Sequence, residues 1–307
     1  MHITLPRIGL WVAGIDLLPT AETADLAAEA ESLGYGALWL SEGLVRDPFM
    51  QAATLLNATK SLVLGTGIAV IWGRHPRNVR MQTRALLDAH PGRFVLGLGT
   101  SHARVVEDVL GLTYERPLAT LRAHLDRLDE PDPILALANV TSDAPVAPRV
   151  LAALGPKALA LARDRAAGAF TYLTTPEHTA QARAILGPDR TLIVEQSVIA
   201  AALPDEAKTL ARQHIASYLA AAPYRATWQR LGFTDHDLAD GGSDRLVTTL
   251  VAIGEDEIAQ RIHAHLEAGA DHVCLQALSP NLHTAPLNQW RALAPIACQP
   301  FRSSAFS

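Results

Sequence analysis

A (β/α)8 TIM barrel with insertions at its C-terminal face is the architecture this sequence predicts, and three observations carry that reading. Eight short apolar runs alternate with helix-like stretches along the chain. The runs are almost wholly apolar, without strict alternation, as parallel strands buried on both faces require. The chain has 307 residues, a length that one barrel uses as readily as two ordinary domains. Residues 1–307 are therefore read as one domain. A doubly wound sheet is the competing arrangement of the same alternation.

The first run, Ile8-Gly-Leu-Trp11, precedes a helix starting near Thr20. Leu26, Ala30 and Leu33 fall on one face of that helix at i, i+4 and i+7, and Gly34 suits its C-cap. Ala37-Leu-Trp-Leu40 follows, then a helix from about Pro48 to Ala58 with proline in the first turn. Leu62 to Val70 reads as a strand, Arg77 to Ala89 as a helix and Phe94 to Leu98 as a strand. In the second half, strands are expected near Val150–Leu154, Ala169–Leu173, Leu192–Ala200 and His272–Leu278. Helices are expected at Lys157–Arg165, Glu177–Ile185, Glu206–Ala221 and Glu255–Ala268, the last stopped by Gly269. Two stretches break the rhythm. Asp129–Pro148, with four prolines, is expected to wrap over the barrel, and Pro223–Asp244 carries Tyr224, Trp228 and Phe233. Insertions after barrel strands commonly shape the substrate pocket.

Composition narrows the function. Lys and Arg number 26 against 31 Asp and Glu, a net charge of −5, and apolar residues make up 49% of the chain. Nothing basic enough to neutralise phosphates is present, so a nucleic-acid partner is not expected. Two cysteines, Cys274 and Cys298, support neither a disulfide framework nor a multi-cysteine zinc site. The first residues hold no apolar run of signal-peptide length, and nowhere do about 18 apolar residues run uninterrupted. The expectation is a cytoplasmic protein with no membrane partner, acting on a small molecule.

Several motifs fail on inspection. Gly97-Leu-Gly-Thr-Ser-His102 starts like a dinucleotide fingerprint but has histidine where the third glycine belongs. No Gly-x-Ser-x-Gly elbow and no phosphate-binding P-loop occur. His263 and His265 lie two apart on a helix, so their rings cannot share a metal; both are expected at the surface or an interface. Cys274 reads as an inert core thiol. No metal is expected.

Other segments carry more. They are Gly36-Ala-Leu-Trp-Leu-Ser-Glu42, Leu62-Val-Leu-Gly-Thr-Gly-Ile-Ala-Val70 and Pro91-Gly-Arg-Phe-Val-Leu-Gly-Leu-Gly-Thr-Ser101. Further on stand Leu151-Ala-Ala-Leu-Gly-Pro-Lys157, Tyr172-Leu-Thr-Thr-Pro-Glu-His-Thr179, Gly242-Ser-Asp-Arg-Leu-Val247 and Gly269-Ala-Asp-His-Val-Cys-Leu-Gln276. In this order the chain resembles the luciferase-like monooxygenase superfamily, in particular its deazaflavin (coenzyme F420)-dependent oxidoreductases. The branch usually shows Gly-Ala-His-Pro-Tyr where this chain has Gly168-Ala-Phe-Thr-Tyr172.

The resemblance implies a site. Glycines interrupting the third strand mark a bulge or the close approach of another group. In relatives this spot is a non-proline cis peptide behind the flavin-type ring, which carries over to Gly67–Ile68 beside Thr66. Glu42 ends the second strand, where it would orient the ring or handle a proton. His102, after the fourth strand, stands where some relatives carry an acid and would transfer a proton near neutral pH. The loop Ala153-Leu154-Gly155-Pro156-Lys157 opens a helix and would hold the cofactor's phosphate through backbone N–H groups and the helix dipole. Thr100 and Ser101 would add hydroxyls, and Arg74, Arg77 and Lys157 would screen an acidic tail. Trp72, His75, Phe170, Tyr224, Trp228 and Gln276 are the expected substrate contacts. The implied activity is hydride transfer between deazaflavin C5 and a small organic substrate, in a homodimer. Two alternatives stay open: an FMN-dependent two-component monooxygenase of the same fold, and a barrel that binds a flavin-like ligand without catalysis.

Overall fold

The computed structural model describes residues 3–297, apart from 44, 133, 135–136, 138–146, 201–203 and 282. The strands are β1 (Ile8–Val12), β2 (Ala37–Leu40), β3 (Val63–Thr66), β4 (Ala69–Val70) and β5 (Phe94–Gly99). They continue with β6 (Arg149–Ala152), β7 (Gly168–Thr171), β8 (Thr191–Ile199), β9 (Val251–Ile253) and β10 (His272–Ala277). All pair in parallel in the order β10-β1-β2-β3-β5-β6-β7-β8, and β8 pairs with β10 to close the ring. The protein is a (β/α)8 barrel, and an open doubly wound sheet is excluded. All eight expected strands are staves of it. β3 and β4 are the two halves of the third stave, each pairing with β5, and β9 is a short addition beside β8.

The first helices are α1 (Thr20–Ser32), α2 (Pro48–Ala58), α3 (Pro76–Ala89) and α4 (Pro117–Asp129). After β6 come α5 (Pro156–Arg165), α6 (Pro176–Leu186), α7 (Pro204–Leu219), α8 (Ala222–Arg230) and α9 (Asp244–Leu250), then α10 (Glu255–Glu267) and α11 (Leu287–Ala297). Proline opens α2 through α8 within the first two positions, where its missing N–H costs no ladder bond. Gly34 and Gly269, at φ 89° and 101°, follow α1 and α10 as expected. The sequence reading did not identify α4, α8, α9 or α11. Most of the stretch expected to wrap the barrel, and Cys298, lie outside the described residues.

The main core lies between the staves and the helices, with Leu10, Leu38, Leu64 and Leu98 fully buried. A second cluster fills the barrel interior around Trp39, Phe170, Ile193 and Cys274. Trp39 Nε1 donates to His272 Nε2 at 3.0 Å, and its ring meets Phe170 edge-on at 5.0 Å. Burial keeps His272 neutral, its pKa pushed down to about 4, so that it accepts at Nε2 while its Nδ1 lies 2.5 Å from the Pro6 carbonyl. Cys274 is buried with its thiol pushed up by desolvation, in keeping with an inert core position. His265 departs from expectation. It is fully buried, with Nδ1 on Thr179 Oγ1 (2.8 Å) and Nε2 on Gln196 Oε1 (3.0 Å), because a polar residue of β8 faces the helix layer and needs a partner.

Among the described residues, no helix is long and apolar enough to cross a membrane. Nor does any group of three or more His, Cys, Asp or Glu among them stand ready to hold a metal ion.

Candidate active site

At the C-terminal mouth of the barrel lies a cavity of about 830 Å³. Its floor is set by the broken third stave. The Gly67–Ile68 peptide is cis, at the position the resemblance implies. Gly67 N–H donates to the Leu40 carbonyl (2.7 Å), and Trp11 Nε1 donates to the Gly67 carbonyl (2.7 Å). Thr66 is fully buried behind this floor, outside the cavity lining. Its hydroxyl donates to Gly97 O (2.7 Å) and accepts from Gly97 N–H (2.8 Å).

These contacts explain the incomplete glycine motif. A Cβ on Gly97 would sit 1.9 Å from Thr66 O, and one on Gly99 would sit 2.7 Å from Ile68 Cδ1. The glycines of β5 let the broken stave approach closely, and nucleotide phosphate has no part in that packing.

Glu42 follows β2 and borders the cavity. One carboxylate oxygen accepts from Val70 N–H (2.6 Å) and the other from Arg74 Nη2 (2.8 Å), and the same Arg74 nitrogen reaches Asp47 at 3.0 Å. Arg74 is thus held at the site by carboxylates, not free to meet a cofactor tail. Burial raises the Glu42 pKa, and the Val70 N–H and the Arg74 charge offset part of that rise. His102 lines the same cavity. Desolvation lowers its pKa, so the ring is neutral at pH 7, and its Nδ1 is buried without a hydrogen-bond partner among the described residues.

Another wall is a candidate anion cradle. Ala153, Leu154, Gly155, Pro156 and Lys157 all line the cavity as the chain leaves β6 for α5. Ala158 and Leu159 N–H both turn back to the Gly155 carbonyl, which leaves the N–H groups of Gly155 and Lys157 outside the helical ladder. Gly155 caps the helix with no side-chain bond, and His178 Nε2 meets the Leu154 carbonyl at 2.8 Å. Arg230 of α8 supplies a second cation here, near enough that a Cβ on Gly155 would lie 3.7 Å from its Nη2. Free N–H groups at a positive helix end, flanked by Lys157 and Arg230, fit a phosphate ester. Thr100 and Ser101 border the same space.

Of the expected substrate contacts, Phe170 and Tyr224 line the cavity. Trp72, His75, Trp228 and Gln276 do not. Trp72 donates to Thr100 O (2.7 Å) and packs on Tyr114. His75 caps α3 by accepting from Arg77 N–H at 3.2 Å. Trp228 is fully buried beneath Tyr224 and donates to Leu173 O (3.1 Å). Gln276 stands behind Tyr172, whose hydroxyl donates to its Oε1 at 2.7 Å. Sequence reasoning missed Trp11, Tyr114, Tyr172, Tyr218 and Arg230, all of which line the cavity.

Fold and site together define a (β/α)8 barrel with a large cavity at its mouth, bordered by the Gly67–Ile68 floor and the turn into α5. The luciferase-like monooxygenase family model matches residues 3–272, and the chain belongs to that family. A Mycobacterium tuberculosis protein provisionally named a coenzyme F420-dependent oxidoreductase is 31% identical over 120 residues, 39% of this chain and 33% of that protein. The match therefore spans about a third of that relative's length. Among solved structures, an F420-dependent secondary alcohol dehydrogenase in complex with an F420–acetone adduct superposes with TM-score 0.71 at 15% identity, covering 97% of this chain and 100% of the other. The FMN-bound oxygenating constituent of 3,6-diketocamphane monooxygenase from Pseudomonas putida gives TM-score 0.69 at 16% identity, covering 96% and 98%.

Proposed function

We propose that this protein is an F420-dependent oxidoreductase that moves a hydride between the deazaflavin and a small organic substrate. The observation that carries the reading is one cavity joining a floor at Gly67–Ile68 to the cradle of Gly155, Lys157 and Arg230. The F420-dependent relative and structural neighbour support it. When bound, the cofactor supplies the hydride chemistry at C5.

The chain's own residues supply the rest. The cradle holds the phosphate ester, with Thr100 and Ser101 adding hydroxyls. The main chain at Gly67 and Ile68, on the cavity floor, would back the ring. Glu42, fixed by Val70 N–H and Arg74, orients the ring edge. His102, neutral by burial, takes or gives the substrate proton. Phe170, Leu118 and Leu121 keep water from the reacting groups. A cytoplasmic homodimer belongs to the same reading.

The FMN-bound neighbour favours a second reading, an FMN-dependent monooxygenase served by a reductase. Titrating the purified chain with F420 and with FMN decides. The proposal expects F420 binding and substrate-dependent, dioxygen-independent turnover. Tight FMN binding with no affinity for F420 overturns it, and binding of neither leaves a non-catalytic barrel.

A further inference from the structure

We propose that the polar end of the cavity is built to hold a substrate hydroxyl in preference to a carbonyl, with Tyr218 as acceptor, Tyr224 as donor, and Tyr172 and Gln276 as positioning residues that fix this polarity. The inference rests on the oxidoreductase reading and deepens it.

Four rings enclose one space. Tyr218 and Tyr224 have centroids 5.0 Å apart, Tyr172 lies 5.4 Å from Tyr218, and His102 lies 5.5 Å from Tyr224 and 6.1 Å from Tyr218. The polarity follows from proton counting. Gln276 Oε1 can only accept, so Tyr172, 2.7 Å away, spends its single proton there. Tyr172 and Tyr218 hydroxyls are 3.0 Å apart. With the Tyr172 proton already committed, Tyr218 must donate to Tyr172. Tyr218 then has only lone pairs left for a ligand. The Tyr224 hydroxyl has no partner among the described residues and keeps its proton to offer.

A carbonyl oxygen accepts only, and Tyr218 has nothing to give it. An alcohol bound before the reaction donates to Tyr218 and accepts from Tyr224, satisfying both; the turn of that proton to His102 belongs to the chemical step. Burial raises the pKa of all three tyrosines, which keeps the phenols protonated and the chain of donors intact. The rings at this end are neutral, and the one lining carboxylate among the described residues, Glu42, is engaged by Val70 N–H and Arg74. The lining cations Lys157 and Arg230 belong to the cradle. The substrate class is therefore an uncharged alcohol.

The test uses the full chain loaded with oxidised F420 and the pair 1-phenylethanol and acetophenone, with affinities measured by calorimetry. The wild-type chain binds the alcohol about tenfold more tightly than the ketone, the worth of one hydrogen bond gained against one left unmade. Tyr218→Phe brings the ratio near one. Gln276→Met frees the Tyr172 proton to turn toward Tyr218, which releases the Tyr218 proton into the cavity and shifts the preference to the ketone. A merely structural role for Gln276 would not invert it. F420 affinity, read from cofactor fluorescence, stays within about twofold in both variants. Equal affinities in the wild-type chain, no binding of either compound, or a ratio unmoved by both substitutions overturns the proposal. Failure of the wild-type chain to bind F420 overturns the oxidoreductase reading and this one with it. Normal F420 binding without discrimination overturns only this one.

Discussion

Glu195 is a carboxyl in the barrel interior, and its burial sets a measurable pH dependence. It is fully buried on β8, where Oε1 accepts from Ser197 Oγ (2.7 Å) and Oε2 from Leu173 N–H (3.0 Å). Among the described residues, no Lys or Arg is paired with it. Desolvation outweighs both hydrogen bonds and pushes its pKa from the ordinary 4.5 up to about 7. The folded state therefore binds more protons than the unfolded state between those values, and stability falls as pH rises through that window. A shift of about 2.5 units at about 1.4 kcal/mol each makes the full cost about 3 kcal/mol above pH 7. Glu195→Gln keeps an acceptor for Leu173 N–H and offers Ser197 a donor, while removing the charge. Urea unfolding followed by tryptophan fluorescence, run from about pH 4.5 to about pH 8.5, should show the variant gaining on the wild-type chain by about 3 kcal/mol across the range. Other titrating groups cancel in that difference. A stability difference that is the same at both ends of the range refutes the reasoning.

Further outcomes follow from the site. His102→Ala should lower turnover about a hundredfold, the usual worth of a general acid or base, with F420 affinity within a few-fold of wild type. Because burial depresses the His102 pKa, the acid limb of kcat/KM should fall below pH 6.5 and vanish in that variant, as a pH–rate profile would show. Glu42→Gln should also lower turnover while F420 binding persists, measured by steady-state kinetics beside fluorescence titration. Lys157→Ala should weaken F420 about tenfold but leave a deazaflavin lacking the phosphate ester unaffected, since only the ester meets the cradle. Gly97→Ala puts a methyl group 1.9 Å from Thr66 O, a backbone atom that cannot swing away. Thermal unfolding should report a loss of at least about 3 kcal/mol, or no folded protein at all.

Much of this was legible because local chemistry fixes it. Apolar runs buried on both faces announced the eight staves. Glycines inside the third run marked where it breaks, and Gly155-Pro156 marked a helix start facing the mouth. What stayed hidden depends on distances no local pattern carries. Tyr224 and Trp228 share one stripe of α8 at i and i+4, so periodicity cannot say that Tyr224 reaches the cavity while Trp228 is sealed beneath it. Arg230 and Tyr218 arrive from the segment after β8, and only its return over the mouth brings them to α5 and Tyr172. Trp72 and His75 follow the third stave as a pocket residue would, but each is held by a bond to its own neighbourhood.

The run Glu195-Gln196-Ser197 shows how more could have been read. Three consecutive polar residues in a strand buried on both faces must find partners on both sides. Period two sends Glu195 and Ser197 to one face, where they bond each other, and Gln196 to the opposite one, where His265 of α10 meets it. The demand for those partners is written in the strand, and it calls for a polar partner such as His265 in the core rather than at the surface. Which residues meet the demand is settled by how α7 and α10 pack on β8. His214, half-buried on α7, closes the inner side at 3.2 Å from Ser197 Oγ. Since Ser197 gives its proton to Glu195, His214 must hold a proton on Nε2 and donate it, and replacing His214 with alanine should raise the Glu195 pKa further by removing that support. Repeating the pH–stability difference on a His214→Ala background should move its midpoint upward, and a midpoint that stays in place would break the link between the histidine and the carboxyl.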